Sequence, residues 1–111
     1  MSFLADQIDE LKLMFPGVAQ CDEGGVSFFL LPKAILPDGC QPSITDLLLC
    51  PTPRDNYNSR LFFGSQISGK AGLNWNGQVR VLERNWHAFS WRTPPNLRLA
   101  QMVTIHMRAL Q

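Results

Sequence analysis

The sequence predicts an α+β fold in which two helices pack on one face of an antiparallel sheet. Apolar residues recur at helical spacing near the two ends of the chain, and short apolar runs divided by turn residues fill the space between them. Helices and strands that are segregated in this way are typical of α+β sandwiches. Because 111 residues suffice for one core but not for two, residues 1–111 are predicted to form a single domain.

The first predicted element is a helix that runs from Ser2 to Phe15. Its apolar residues follow one another at spacings of four, three and four, which places them on one helical face: Leu4, Ile8, Leu11 and Phe15. Pro16-Gly17 then ends the helix, since proline and glycine interrupt helical structure.

Four short strands follow the helix and form the predicted meander. Residues 18–21 and 26–31 are joined by a turn that contains Gly24-Gly25, which predicts a β-hairpin. Pro32 and the Pro37-Asp38-Gly39 turn predict a loop before the third strand at residues 45–50. A proline-bearing connection at 51–58 leads to a fourth strand at 61–63.

The region between the fourth strand and the last helix is predicted to be an irregular excursion that carries one hairpin. Residues 64–72 are interpreted as loop, and Asn76-Gly77 is a strong signal for a two-residue hairpin turn between 73–75 and 78–82. A closing helix is predicted after the capping and proline residues at 93–96. Its apolar face consists of Leu99, Val103, Met107 and Leu110.

Composition and charge exclude several classes of function. The formal net charge is only +1 and the basic residues are scattered, so a nucleic-acid partner is not expected. No apolar stretch approaches the roughly 20 residues of a membrane helix, and no signal-peptide pattern is present, so a cytoplasmic protein without membrane contact is expected. The three cysteines have no short paired spacing, and only two histidines are present, which predicts no disulfide, no metal and no cofactor.

Several short motifs resemble the prokaryotic ubiquitin-conjugating-like (UBC-like) family E. The matching segments are Leu36-Pro37-Asp38-Gly39, the strand at 44–49, Pro51-Thr52-Pro53, Tyr57 with the strand at 61–63, and Trp86-His87-Ala88-Phe89-Ser90-Trp91. The chain departs from the family pattern at Asn58, where a proline follows the tyrosine in the family. The resemblance implies a UBC-like fold and a bacterial ubiquitin-like conjugation pathway, in some cases one of phage defence. The implied partners are a ubiquitin-like modifier, an activating-enzyme homologue and a JAB-type peptidase.

The resemblance also indicates where the acyl-accepting nucleophile of a conjugating transferase should lie. In the eukaryotic pattern the cysteine comes three residues after an Asn-Gly turn, and the Asn76-Gly77 turn places Arg80 at that position. A guanidinium stays protonated and is not a nucleophile. Ser90 is the better candidate, as an acceptor that forms an oxyester instead of a thioester, and His87 is the candidate general base.

Other interpretations of the same residues remain open. Residues three apart in a strand point to opposite faces, so His87 and Ser90 meet only if the segment turns, and Ser90 otherwise bridges backbone groups. The chain is then a non-catalytic UBC-like adaptor that binds the modifier, the activating enzyme or the peptidase, or an unrelated α+β binding module. Cys40 is the cysteine expected to be most exposed. One group of residues forms either an interaction surface or a satellite core: Trp75, Trp86, Trp91, Arg80, Arg84 and Arg92.

Overall fold

A computed structural model describes residues 3–111, which form two α-helices and a six-stranded antiparallel sheet. In chain order the elements are α1 (Ala5–Met14), β1 (Ala19–Glu23), β2 (Val26–Ile35), β3 (Ile44–Cys50), β4 (Arg60–Phe63), β5 (Trp75–Val81), β6 (Arg84–Phe89) and α2 (Leu99–Met107), which a short 3-10 turn follows at Arg108–Leu110. The predicted α+β class is therefore confirmed. The predicted start of the first helix at Ser2 lies outside the described residues.

The strands follow the spatial order β1-β2-β3-β4-β6-β5. The first four strands are neighbours in the order of the chain, as expected of a meander with short connections. The region after β4 is more regular than the excursion predicted for it, because β5 and β6 join the same sheet. The pairing of Phe63 with His87 places β6, and not β5, beside β4.

Both helices lie on one face of the sheet, where their apolar sides cover the larger of two cores. The members of that helix-side core include Leu11, Phe29, Phe63, Leu99 and Val103. Arg98, which precedes α2, joins the helices through its Nε, 2.9 Å from Glu10 Oε1, and its Nη2, 2.8 Å from Asp6 Oδ2. These ion pairs are partly exposed, so the buried apolar faces supply most of the packing energy.

The helix-free face of the sheet carries a second core built around the fully buried Trp86. Its other members include Phe28, Leu48 and Phe62. The Leu82 amide donates a hydrogen bond to Glu23 Oε1 at 3.3 Å, which joins the hairpins at opposite sides of the sheet. Four strands separate β1 from β5, so this contact requires the sheet to curl over the second core.

Strand β2 continues beyond Pro32 to Ile35, although proline was predicted to end it at residue 31. A β-bulge between Leu31 and Ala34 accommodates the proline, which is where sheets tolerate it. Lys33 adopts a φ of 52° in the bulge, and its amide donates to Asp46 Oδ1 at 2.8 Å. The carboxylate thus holds the bulge in place on β3.

The predicted turn at Asn76-Gly77 is wrong, because both residues lie inside β5. Trp75 pairs with Phe89 and Gly77 with Ala88, which leaves Asn76 as the extra residue of a β-bulge. The turn of the β5–β6 hairpin falls instead at Leu82-Glu83, where both residues have positive φ (56° and 62°). A side-chain hydrogen bond within the hairpin supports this turn: Trp86 Nε1 donates to the carbonyl oxygen of Val81 at 3.0 Å.

Arg80 consequently lies within β5 and not after a turn. The structure therefore does not support the interpretation that Arg80 occupies the position of a catalytic cysteine. Its guanidinium hydrogen-bonds Asn85 and the carbonyl oxygen of Glu83. Cys40, expected to be exposed, is buried. The loop that carries it is joined to the chain at Ser68, since Gln41 and Ser68 exchange backbone hydrogen bonds of 2.9 and 2.8 Å.

Candidate functional site

A tight turn positions the tyrosine at the centre of the candidate site. Arg54 and Tyr57 exchange backbone hydrogen bonds of 2.9 and 2.8 Å across Asp55-Asn56. Both central residues have positive φ, which aspartate and asparagine tolerate better than other non-glycine residues. The turn brings the Tyr57 side chain back against the first residue of β4.

Ser90 follows β6 directly, and its side chain meets that of Tyr57. The Ser90 amide donates to the carbonyl oxygen of Asn74 at 2.8 Å, which fixes the backbone beside the neighbouring strand. The Ser90 and Tyr57 hydroxyls are hydrogen-bonded to each other. Asn76 Nδ2 lies 3.0 Å from Ser90 Oγ and 3.2 Å from Tyr57 Oη, so one amide group donates to both hydroxyls.

The bulge in β5 explains how Asn76 reaches this position. Asn76 is the extra residue of the strand, so its side chain need not alternate between the two faces of the sheet as those of the rest of β5 do. Gly77, the next residue, lies against the Arg60 guanidinium, where an added Cβ would stand 2.8 Å from Arg60 Nη1. The Asn76-Gly77 pair thus serves the site and not a hairpin turn.

Arg60 supports the site from its buried side and is only 3% exposed. Its guanidinium donates to Asp55 Oδ2 at 3.1 Å, to Asn76 Oδ1 at 2.7 Å and to the carbonyl oxygen of Phe89 at 3.3 Å. Its central carbon lies 4.4 Å from the centre of the Tyr57 ring. The planar fork of arginine suits such a set of acceptors, and a lysine ammonium would reach fewer of them.

The surroundings of Tyr57 lower the pKa of its hydroxyl below the ordinary value. The hydrogen bond from Ser90 lowers the Tyr57 pKa most, and the hydrogen bond from Asn76 lowers it further. Burial opposes these two hydrogen bonds, and the positive charges of Arg60 and Arg92 lower the pKa by smaller amounts. Arg92 lies on the ring of Tyr57 at 4.9 Å and is held by the Asn56 carbonyl oxygen.

The arrangement pairs a potential nucleophile with a potential base. The Ser90 hydroxyl donates to the Tyr57 oxygen when that oxygen is ionised, and it accepts a hydrogen bond from Asn76 at the same time. A serine next to a group that accepts its proton, itself oriented by a third group, is the general signature of nucleophilic catalysis. Ser90 is half-buried and Asn76 exposed, so the serine side of the cluster faces solvent.

The structure brings Ser90 to Tyr57 and not to the predicted base, His87. In β6 the side chains of Trp86 and Ala88 face the second core, so His87 between them points to the other face. Within residues 3–111 no hydrogen bond connects His87 with Ser90. As expected for strand residues three apart, the side chains of His87 and Ser90 therefore do not meet.

Sequence reasoning missed Tyr57, Asn76 and Arg60 as members of one cluster. Tyr57 and Ser90 are 33 residues apart, and no local pattern relates them. The available signals were Asp55-Asn56, a residue pair suited to positive φ, and an arginine directly before the apolar strand Leu61-Phe62-Phe63. An arginine at the start of a fully buried strand must find several partners, which marks a polar cluster.

A buried serine–histidine hydrogen bond lies between the last helix and the start of β4. His106 Nε2 is 3.1 Å from Ser59 Oγ, which is also 3.1 Å from Thr93 Oγ1. All three residues are buried, and burial is the main cause that lowers the His106 pKa to about 4. Because Ser59 is only 1% exposed, we interpret this network as a structural link between α2 and β4.

The tryptophans and arginines do not form one interaction surface. Trp86 is the centre of the second core, with the Arg84 guanidinium 4.2 Å from its ring, whereas Trp75 packs edge-on against Phe63 in the helix-side core. Trp91 donates its indole N–H to the carbonyl oxygen of Ile105. The satellite-core interpretation therefore holds for Trp86.

Thiol chemistry has little support at this site. Cys40 and Cys50 are buried, and burial together with the neighbouring acids raises the pKa of Cys21. Across residues 3–111 no group of three His, Cys, Asp or Glu side chains is placed to hold a metal ion. None of the helices in the described part of the chain is long and apolar enough to span a membrane.

Comparison with known proteins found no match. No protein-family model, no curated protein and no solved structure matches the chain.

Proposed function

We propose that this chain is a UBC-like protein of a bacterial ubiquitin-like conjugation pathway, and that it accepts the modifier on Ser90 as an oxyester. One observation carries the proposal: the Ser90 hydroxyl is hydrogen-bonded to Tyr57, whose pKa is lowered by its neighbours. The motifs around Tyr57 and Ser90 are those in which the chain resembles the family. Tyr57 takes the role of base that the sequence assigned to His87.

The proposed acceptor step uses only groups of the cluster and the incoming thioester. Ser90 Oγ attacks the carbonyl carbon at the modifier's C-terminus, and its proton passes to the Tyr57 phenolate as the C–O bond forms. The C–S bond to the activating enzyme breaks, and the departing thiolate takes the proton from Tyr57. Asn76 is a positioning residue, because its amide holds both oxygens in place.

In the second step an amine attacks the carbonyl carbon of the Ser90 ester. A C–N bond forms, the bond to Ser90 Oγ breaks, and the amine's surplus proton returns to the serine through Tyr57. Arg60 and Arg92 stabilise the phenolate that is present at the start and at the end of each step, since their charges lie 4.4 and 4.9 Å from the centre of its ring.

A conjugation assay tests the proposal directly. The protein is incubated with ATP, the activating-enzyme homologue and the processed modifier, and the products are separated on a denaturing gel. We expect an adduct that survives reductant, is cleaved by mild base and is absent from Ser90→Ala. Ser68→Ala serves as the matched control, since Ser68 is an exposed serine on another loop.

A non-catalytic adaptor that binds the modifier, the activating enzyme or the JAB-type peptidase is the second candidate. The burial of Cys40 and Cys50 favours it, because the chain then presents no reactive thiol of the usual kind from either position. Co-elution with these proteins without any adduct would support the adaptor. An adduct that persists in Ser90→Ala, or failure to co-elute with all three proteins, would contradict the acceptor proposal.

A further inference from the structure

An apolar groove of about 660 Å³ lies on the helix-side face, and its lining does not include Ser90 or Tyr57. The end of α1, the second half of β2 and one side of α2 form its walls. Its lining is largely apolar and includes Met14, Phe15, Leu36, Val103 and Met107. Met14 is 46% exposed, so the rim of the groove is open to a partner.

An unpaired strand edge runs along this groove. Strand β1 begins at Ala19, which pairs with Leu30, and it covers no residue of β2 beyond that point. On the other side, Ile35 lies opposite Ile44, and the Leu36 amide donates to the carbonyl oxygen of Ser43 at 2.8 Å. This register makes Ile35 and Ile44 a non-hydrogen-bonded pair, so the N–H and C=O of Ile35 point away from β3 towards the open edge.

Apolar contacts are available on both faces of a strand added at this edge. On one face lies the groove itself. On the other, Ile35 is 78% exposed and its cross-strand neighbour Ile44 is exposed as well. Exposed apolar side chains beside unpaired backbone groups are the features by which sheet edges recruit an extended peptide.

The edge is short, because prolines and the bulge limit it. Pro32 and Pro37 lie at its two ends, and neither can donate a backbone hydrogen bond. Between them the distorted backbone at Lys33 leaves residues 34–36 as the regular stretch. Such an edge resists extended self-assembly and suits a segment of about four or five residues.

The charge around the groove selects among such segments. Among the described residues that line the groove, Lys33 is the only one with a charged side chain. An acidic residue of a bound segment would therefore meet a positive charge, whereas a basic one would be repelled. An aliphatic residue next to that acid would enter the groove.

We propose that the open edge of β2 binds a short, extended, acidic and aliphatic segment of a protein partner, which adds as a strand beside Ile35. This interaction does not involve Ser90 and is independent of the acyl transfer proposed above.

The probe for the test is the peptide acetyl-Glu-Val-Leu-Val-Glu-amide, titrated into the full chain and followed by amide chemical shifts and by binding affinity. We expect the Ile35 amide to shift on binding. The peptide with lysine in place of glutamate should bind at least about threefold more weakly. N-methylation of the central leucine removes its amide hydrogen. If the peptide binds with this leucine opposite Ile35, the methylated peptide should no longer shift the Ile35 amide.

Two adjacent substitutions on α1 provide matched variants. Met14→Glu places a charge in the groove and should weaken binding by about tenfold or more. Leu13→Glu adds the same charge at the next residue, which is 86% exposed and does not line the groove, and it should leave affinity within about twofold. Ser90→Ala should bind as the unsubstituted chain does.

Three results would overturn the proposal. The first is that the Ile35 amide does not respond to any of the peptides. The second is that Met14→Glu and Leu13→Glu have equal effects on peptide affinity. The third is that Ile35 shifts with protein concentration in the absence of peptide, which would identify a second copy of the chain as the occupant.

Discussion

The hydroxyls of Ser90 and Tyr57 are hydrogen-bonded to each other, and the same Asn76 amide group donates to both. The pair joins the end of β6 to a turn in the connection between β3 and β4. Arg60 hydrogen-bonds Asn76, and the guanidinium groups of Arg60 and Arg92 both lie over the Tyr57 ring. The cluster therefore links the Ser90 hydroxyl to a phenol that ionises more readily than usual.

Titration of the tyrosine absorbance should show the effect of this environment. Tyr57 is the only tyrosine of the chain, so the signal reports one group. We expect a midpoint below 10, the ordinary pKa of the side chain. Ser90→Ala should raise the midpoint, because the hydrogen bond from Ser90 is the largest cause of the shift, and Ser68→Ala should not. A midpoint at or above 10 in the unsubstituted chain would remove the basis for Tyr57 as a base.

Replacement of Arg60 by lysine should destabilise the protein by about 2 kcal/mol. Lysine keeps the charge but loses the planar fork that reaches Asp55, Asn76 and the Phe89 carbonyl oxygen. Urea unfolding measures the change. Arg92→Lys, on the exposed side of the same tyrosine ring, should change stability by no more than about 0.5 kcal/mol. Equal losses of stability in Arg60→Lys and Arg92→Lys would show that the burial of Arg60 does not contribute to the destabilisation.

Stability should fall as the pH decreases from about 6.5 to about 4, because of His106. Burial lowers its folded-state pKa to about 4, below the ordinary 6.5, so the unfolded state binds the proton first. The contribution is fully present above pH 6.5 and is lost as the pH falls towards 4, about 3 kcal/mol in total.

Denaturant unfolding at several pH values measures this dependence. His106→Gln removes the titrating group and retains an amide that can hydrogen-bond Ser59, so it should flatten the slope in this range. His87→Gln, at the only other histidine, should leave the His106 contribution in place. If the slope is unchanged in His106→Gln, the histidine is not buried in its neutral form.

Substitutions in the hairpin turn at Leu82-Glu83 should stabilise the protein. Both residues adopt positive φ, which costs side-chain-bearing residues about 1 kcal/mol each and glycine much less. The double change Leu82→Asn with Glu83→Gly should therefore raise the free energy of unfolding by about 1 kcal/mol. The contact of Arg80 with the Glu83 carbonyl oxygen is a backbone contact and is retained. A loss of stability would argue against a turn at these residues.

The parts of the fold that the sequence predicts well are those set by local periodicity. Leu11, Leu99 and Val103 are buried in the helix-side core, as their helical spacing indicates. The first hairpin closes at Gly24-Gly25, where both glycines have positive φ. In these segments a single regular element and its own turn residues decide the structure.

The prediction failed where tertiary contacts outweigh local preference. Asn76-Gly77 has the composition of a hairpin turn, but Arg60 occupies the space beside Gly77 and binds the Asn76 side chain. The turn moved to Leu82-Glu83, which has no such composition. The site could not be predicted for the same reason, since Tyr57, Asn76 and Ser90 meet only once β5 and β6 have joined the sheet.

Acylation with a simple donor shows whether Ser90 accepts an acyl group with Tyr57 as its base. The chain is treated with a thioester of a glycine-ended peptide over a range of pH, and the acylated residue is mapped by mass spectrometry. We predict an ester on Ser90 whose rate of formation rises with pH and levels off at the midpoint of the Tyr57 titration, and which Tyr57→Phe slows. Acylation confined to lysine or cysteine side chains, or a Ser90 rate that is the same in Tyr57→Phe, would contradict it.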